Sequence, residues 1–185
     1  YLQDKSLVNQ REVGFDTLTF DKALRSVLRE DADVVLVGEM RDLESVSATI
    51  TIAETGHLVF ATLHTNNASQ TIDRIIDVFP AYQQNQVRSQ LSNILICVLS
   101  QRLLPKIGGG RVPATEIMMN NSAVANVIRE NKTYELPNII HTSHTSGMFS
   151  LDSSLAQLVR TNQTRLEDAM LYVTDHDLFE GLLNR

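Results

Sequence analysis

Glu39 closes an aliphatic run, Asp33-Val34-Val35-Leu36-Val37-Gly38-Glu39, and Met40-Arg41-Asp42 follows at once. A lone carboxylate in such a place can polarise a water molecule or contact a hydrated cation. Val34 to Val37, bounded by Asp33 and Gly38, read as a strand buried on both faces. In a parallel sheet the space beyond the carboxyl end of a strand is where ligands bind. A second run, His57-Leu58-Val59-Phe60-Ala61-Thr62-Leu63-His64, reads the same way and ends on His64. Two neighbouring strands that bring Glu39 and His64 to one edge make the arrangement of a nucleotide-hydrolysis site. His57 and His64 are an odd number of positions apart, so a continuous strand would turn them to opposite faces and keep them from sharing one metal.

Arg41 and Asp42 follow Glu39 directly. Two readings stay open: a surface ion pair between them, or Arg41 anchoring the loop that holds Glu39. Gly108-Gly109-Gly110 lacks the Lys-Ser/Thr sequel of a phosphate loop and opens no helix, so it reads as a hairpin turn. His141, His144 and His176 fall in polar segments and read as solvated.

The elements that must position these residues alternate. Val8–Val13 reads as a short strand. Phe20–Glu30 carries Ala23, Leu24, Val27 and Leu28 at helical spacing behind Thr19 as N-cap. Asp42 caps a helix with Val46, Ile50 and Ala53, stopped by Gly56. Asn66 or Asn67 caps the next, with Ile72, Ile75, Ile76 and Phe79 inward and Pro80 at its end. Tyr82–Leu99 reads as one long helix, with Ile94 to Leu99 as a buried face. Gln101–Lys106 and Arg111–Met119 read as strands around the glycine turn. After Asn120 only short helices follow: Ser122–Glu130, Tyr134–His141, Ser150–Arg160, Thr164–Tyr172 and Asp175–Leu183. A parallel sheet with covering helices, then a helical subdomain from about residue 121, is the expected α/β architecture.

The chain has 185 residues, enough for one domain with a small appendage. Without Trp and with few aromatics, its core must be aliphatic. A net charge of −6 argues against a protein that coats nucleic acid, though a local backbone cradle can still hold phosphates. Cys97 is the lone cysteine, so no intrachain disulfide can form, which suits a reducing compartment. No apolar run approaches the ~20 residues of a membrane helix. Tyr1 is an unusual start and suggests part of a longer chain.

Gly38-Glu39-Met40-Arg41-Asp42, Ala53-Glu54-Thr55-Gly56-His57 and Thr62-Leu63-His64-Thr65 resemble the secretion-type hexameric ATPases. The chain is most similar to their PilT-like twitching-motility branch, which retracts type IV pili. Leu7 to Val13, Ala23 to Asp31, Thr71 to Arg74 and Val78 to Pro80 fit the same family in the same order. The resemblance implies a RecA-like, mostly parallel sheet over residues 1–120, carrying the Walker B and His-box strands, and a helical C-terminal subdomain over 121–185. It implies ATP and Mg²⁺, a homo-oligomeric, hexameric ring, and a cytoplasmic place at the inner membrane against a pilus platform protein. It assigns Glu39 to water activation and outer-shell Mg²⁺ contact; for His64 two roles stay open, sensing the γ-phosphate or bridging it to the subunit interface. His57, Arg41, Arg74 and Arg111 become nucleotide or interface candidates. For Arg74 and Arg111 an arginine finger and a plain surface arginine remain equally open.

No G-x-x-x-x-G-K-[ST] occurs in these residues, so the chain carries no Walker A loop. Two explanations compete, a part of a motor lying downstream of that loop and an inactive ring or scaffold module. The retained Glu39 and His64 favour the first. Assembly and type II secretion ATPases usually carry a Cys₄ zinc site after the Gln101-Arg102-Leu103 segment; one cysteine cannot supply it. Ala123 to Glu130 resembles the retraction branch's Ala-Ile-Arg-Asn-Leu-Ile-Arg-Glu motif, with Ala125 in place of its first arginine.

Overall fold

The structure is a computed structural model that describes residues 5–184. Its packing forms two compact units, one ending at Leu63 and the other beginning at His64.

In the first unit, Phe20–Val27 (α1) starts where Thr19 accepts a hydrogen bond from the Lys22 N–H. Val34–Val37 (β1) leads to Leu43–Glu54 (α2), and Leu58–Ala61 (β2) returns parallel to β1 in the register Val34–Leu58 to Val37–Ala61. The crossover is short because both helix ends are defined locally. Asp42 and Ser45 form a capping box, and Gly56 takes a φ of +97° just past α2. β1 is not buried on both faces: Val35 and Val37 are buried, whereas Val34 and Leu36 are 55% and 62% exposed. α2 packs against β2 and α1, and its Val46, Ile50 and Ile52 are buried. The expected strand at Val8–Val13 does not form. Among the described residues no strand covers it, and the chain instead makes a tight turn in which Gly14, Asp16 and Thr17 bond back within residues 12–17.

The second unit begins with Ala68–Asp77 (α3), capped by Asn67 rather than Asn66, and Ala81–Ile94 (α4). The long helix expected to reach Leu99 stops at Ile94. Leu95 turns to extended backbone (ψ +132°), and Cys97–Pro105 (β3) pairs antiparallel with Arg111–Met119 (β4) from Cys97–Met119 to Pro105–Arg111. The apolar run Ile94 to Leu99 is therefore no continuous helix face: Ile94 ends α4, and Cys97 to Leu99 open β3. Asn120 explains the stop, because its side-chain amide donates to the Ser92 and Leu95 carbonyls and its backbone N–H to Ile96. These bonds satisfy the last carbonyls of α4 and fix the entry to β3. The hairpin closes through Gly108, Gly109 and Gly110, all at positive φ.

Ser122–Arg129 (α5), Leu136–Thr142 (α6), Leu151–Arg160 (α7), Leu166–Met170 (α8) and His176–Leu183 (α9) follow, with a 3-10 turn at Thr133–Glu135. The change of content near Asn120 falls inside this second unit: α7 and α9 bury Leu155, Leu158 and Phe179 against Leu104, Val112 and Ala114 of the hairpin. His141 is not solvated as expected. It is half-buried, its Nδ1 is buried without a partner, and its ring meets His144 edge-on at 5.6 Å.

Candidate functional site

Glu39 lies two residues past β1, with a half-buried side chain. The sheet's ladder continues to it beyond the formal strand ends, because the Met40 N–H donates to the Thr62 carbonyl at 3.1 Å and the Thr62 hydroxyl donates to the Gly38 carbonyl. Gly38 and Met40, on either side of Glu39, are thus tied to the neighbouring strand's exit. Backbone held by two such bonds fixes the position from which the Glu39 side chain starts, which lowers the entropic cost of placing it. Thr62 went unnoticed as a site-shaping residue in the sequence; its signal is its place one residue past β2.

Arg41 pairs with Glu39 and not with Asp42. Its Nε donates to Glu39 Oε2 at 2.5 Å, and its terminal nitrogen lies 2.5 Å from the same oxygen. The hydrogen bond to Glu39 raises the guanidinium pKa above its already high ordinary value. Asp42 is occupied as the α2 N-cap, where it accepts the Ser45 N–H at 2.8 Å while Ser45 Oγ approaches its backbone N–H. That backbone bond, with the Ser45 hydroxyl, lowers the Asp42 pKa. The Glu39–Arg41 pair is exposed, so ligand or solvent can compete for either partner.

Asp42→Ala is expected to cost ~1 kcal/mol of folding stability, whereas Asp42→Asn keeps the cap. The ionised form adds to stability above the ordinary aspartate range, and this addition is lost as pH falls through the lowered native pKa. Urea unfolding at neutral pH checks the first expectation: equal stability of the wild type and Asp42→Ala overturns it. Repeating the comparison with Asp42→Asn near pH 3 checks the second, since the wild type's advantage over Asn should shrink there.

His57 precedes β2, and His64 follows it by three residues, so neither is in the strand and the argument from strand parity does not apply. His57 Nδ1 lies 2.9 Å from Thr55 Oγ1 and 3.2 Å from the Ile52 carbonyl, at the C-terminal end of α2. His64 is exposed and opens the second unit. The loop it begins is densely anchored. Thr65 Oγ1 lies 2.7 Å from Thr71 Oγ1, the Asn66 N–H donates to Gln70 Oε1, and Asn67 accepts the Gln70 N–H.

Glu116 on β4 holds the end of that loop by accepting the Ala68 N–H at 2.8 Å, and it also accepts an N–H from Leu151 at the start of α7. Burial pushes the Glu116 pKa up, against the pull of the two N–H groups. An acid between Ala114 and Met118 on the buried face of a strand was the signal that could have revealed it. Arg74 is exposed on the last turn of α3, and Arg111 is exposed at the first position of β4. Among the described residues neither makes an ion pair.

Among the described residues no three His, Cys, Asp or Glu side chains converge on a metal position. A lone carboxylate such as Glu39 would suit a Mg²⁺ ion that keeps several waters and binds chiefly through substrate phosphates.

Comparison with known proteins agrees with this layout. A family model described as type II/IV secretion system protein matches residues 6–131. The chain is 55% identical to the pilus-retraction ATPase PilT of Pseudomonas aeruginosa over 89% of its own length and 48% of that protein's. It is likewise 55% identical to a twitching motility protein of Neisseria gonorrhoeae over 84% of the chain and 42% of the relative. The chain thus spans about half the length of the curated relatives it matches. A crystal structure of the pilus retraction motor PilT with bound ADP superposes with a TM-score of 0.88 at 51% identity, over 98% of this chain and 51% of that one. The Legionella pneumophila ATPase DotB, at 22% identity and a TM-score of 0.79 over 89% of this chain and 45% of its own, shares the fold. The architecture is RecA-like α/β, as expected from the sequence. A match running through both strand exits and most of the chain decides the family: this chain belongs to the type II/IV secretion system protein family.

Proposed function

We propose that this chain is part of an ATP-hydrolysing ring motor that drives type IV pilus retraction, and that Glu39 is its water-activating carboxylate. The observation that carries the reading is Glu39 itself, a lone carboxylate just past a parallel strand, with the residues on both sides of it bonded to the exit of the next strand. The similarity to PilT, whose crystal structure holds bound ADP, supports a nucleotide as the ligand.

Phosphoryl transfer asks little covalent chemistry of a protein; it needs positioning and charge stabilisation. In this reading Glu39 accepts a hydrogen bond from the attacking water and meets Mg²⁺ through its water shell. Mg²⁺, when bound, neutralises the phosphate charge. Arg41 holds the carboxylate aimed until nucleotide arrives. His64 senses the γ-phosphate, and His57 steadies the entry to β2 from the end of α2. Residues 1–120 serve as the core part and 121–185 as the helical C-terminal subdomain. The assembled protein is a homo-oligomer, most simply a hexamer, working in the cytoplasm against a pilus platform protein at the inner membrane. Among the described residues no helix is long and apolar enough to cross a membrane.

The 185 residues contain no Walker A sequence, and that loop supplies the backbone nest, the lysine and the hydroxyl for the phosphates. The chain by itself is therefore expected to bind ATP no more tightly than millimolar and to hydrolyse none. Calorimetric titration of the 185-residue chain tests this, and a micromolar ATP affinity would overturn it. The motor reading is tested on the full-length protein by ATP-dependent phosphate release that requires both Mg²⁺ and Glu39.

A further inference from the structure

Within the second unit, Arg102 on β3 stands at a junction that the proposed reaction does not use. One terminal nitrogen of its guanidinium donates to the side-chain carbonyl of Asn66, two residues after His64. Its carbon lies over the Tyr172 ring, 5.9 Å from the centroid, within cation–π range. Tyr172 follows α8 and packs against the cluster that α7 and α9 form with the hairpin. Arg102 is half-buried, and its planar fork can bond Asn66 while its face stacks on the ring, a combination that a lysine cannot reproduce.

The hairpin grips the loop at a second point. In the β3–β4 register Ser100 faces Glu116 and Arg102 faces Ala114, so Arg102 and Glu116 project from the same face of the pair. Arg102 takes Asn66, and Glu116 takes the Ala68 N–H. The loop from His64 to Asn67 is therefore suspended from one rigid hairpin face, and one of its two anchors is also in contact with the C-terminal helices. A change in the seating of Tyr172 alters what Arg102 can hold, and a change in the loop alters what Tyr172 packs on.

We propose that Arg102 is a positioning residue for the His64 loop and that the chain Asn66–Arg102–Tyr172 couples this loop to the α7–α9 helices. Its consequence for turnover rests on the reading of His64 as a γ-phosphate contact; the coupling itself does not.

The test combines amide hydrogen exchange, read by mass spectrometry on peptides covering 64–67, with steady-state ATPase assays on the full-length protein. Arg102→Gln and Tyr172→Leu are each expected to speed exchange in 64–67 about tenfold, the size of one lost charge-assisted bond, while the β3–β4 amides keep their protection. Tyr172→Phe, which retains the ring, should preserve the loop's protection. With Asn66→Ala already present, Arg102→Gln should add little, since the two act through one contact. Turnover should fall in Arg102→Gln with KM little changed. The proposal is overturned if exchange in 64–67 is unaltered in Arg102→Gln, or if it rises equally through the whole hairpin. Should His64→Ala leave turnover intact, the role given to His64 fails, and the exchange pattern alone still decides the coupling.

Discussion

Glu39→Gln is expected to reduce ATP turnover of the full-length protein by ~10²–10⁴-fold, the usual cost of losing a positioned general base and its electrostatic support. Nucleotide binding should survive, because an amide of the same shape leaves the β1–β2 exit and its bonds through Met40 and Thr62 in place. The substitution also releases Arg41 from its ion pair at Glu39. That pair is exposed and contributes little to folding, so the thermal midpoint should move little. Arg41→Ala provides the contrast. If Arg41 only pre-orients the carboxylate, its loss costs turnover far less than Glu39→Gln, since the Gly38 and Met40 bonds still hold the backbone. Phosphate release and equilibrium nucleotide binding measured on the same preparations check the expectation. Release by Glu39→Gln within a few-fold of the wild type removes Glu39 from the chemistry.

What could be read ahead of the structure were the features fixed by near neighbours in the chain. Thr19 and Asp42 announce their helices because a cap and the N–H that donates to it are three residues apart. The glycine run between β3 and β4 announces its turn because positive φ is cheap only there. Glu39 was legible for the same reason: a strand and the residue after its end are local facts. The α4–β3 boundary was not. Ile94 to Leu99 suits either a helix face or a strand, and the decision is made by pairing with β4 and by Asn120, residues distant in sequence.

The same limit applied to the candidate site. The choice of Arg41 between Glu39 and Asp42 depends on loop geometry, and Asp42 was already taken by Ser45. Glu116 and Arg102, which hold the loop after His64, come from strands that no spacing rule links to it. The reading of β1 as buried on both faces failed on Val34 and Leu36. A continuous apolar run shows that a strand can be covered on both faces, and what packs there is decided elsewhere.

Mixing inactive subunits should restore activity if the site is shared across a ring. A positive charge delivered in trans to the γ-phosphate is worth about 10³–10⁵-fold in turnover where such fingers operate. Arg74 and Arg111 are the candidates, both exposed and, among the described residues, in no ion pair, so each is available to a neighbour. Their settings differ. Arg74 projects from the last turn of α3, where its charge also favours the helix C-terminus, while Arg111 sits beside the glycine turn, at the mouth of the hairpin. Removing a finger should abolish most turnover with little loss of stability, whereas removing a plain surface arginine should do neither. Glu39→Gln subunits mixed with Arg74→Ala or with Arg111→Ala subunits decide between them. In a ring assembled from both kinds, some junctions pair an intact Glu39 with an intact arginine from the next subunit. Those junctions regain hydrolysis, so the mixture must exceed the summed activity of its components. Only the mixture containing the true finger mutant should show this gain, because the other arginine mutant starts active. If neither mixture gains and both arginine mutants are fully active alone, charge on the γ-phosphate is stabilised within one subunit, and the ring must serve force transmission without completing the site.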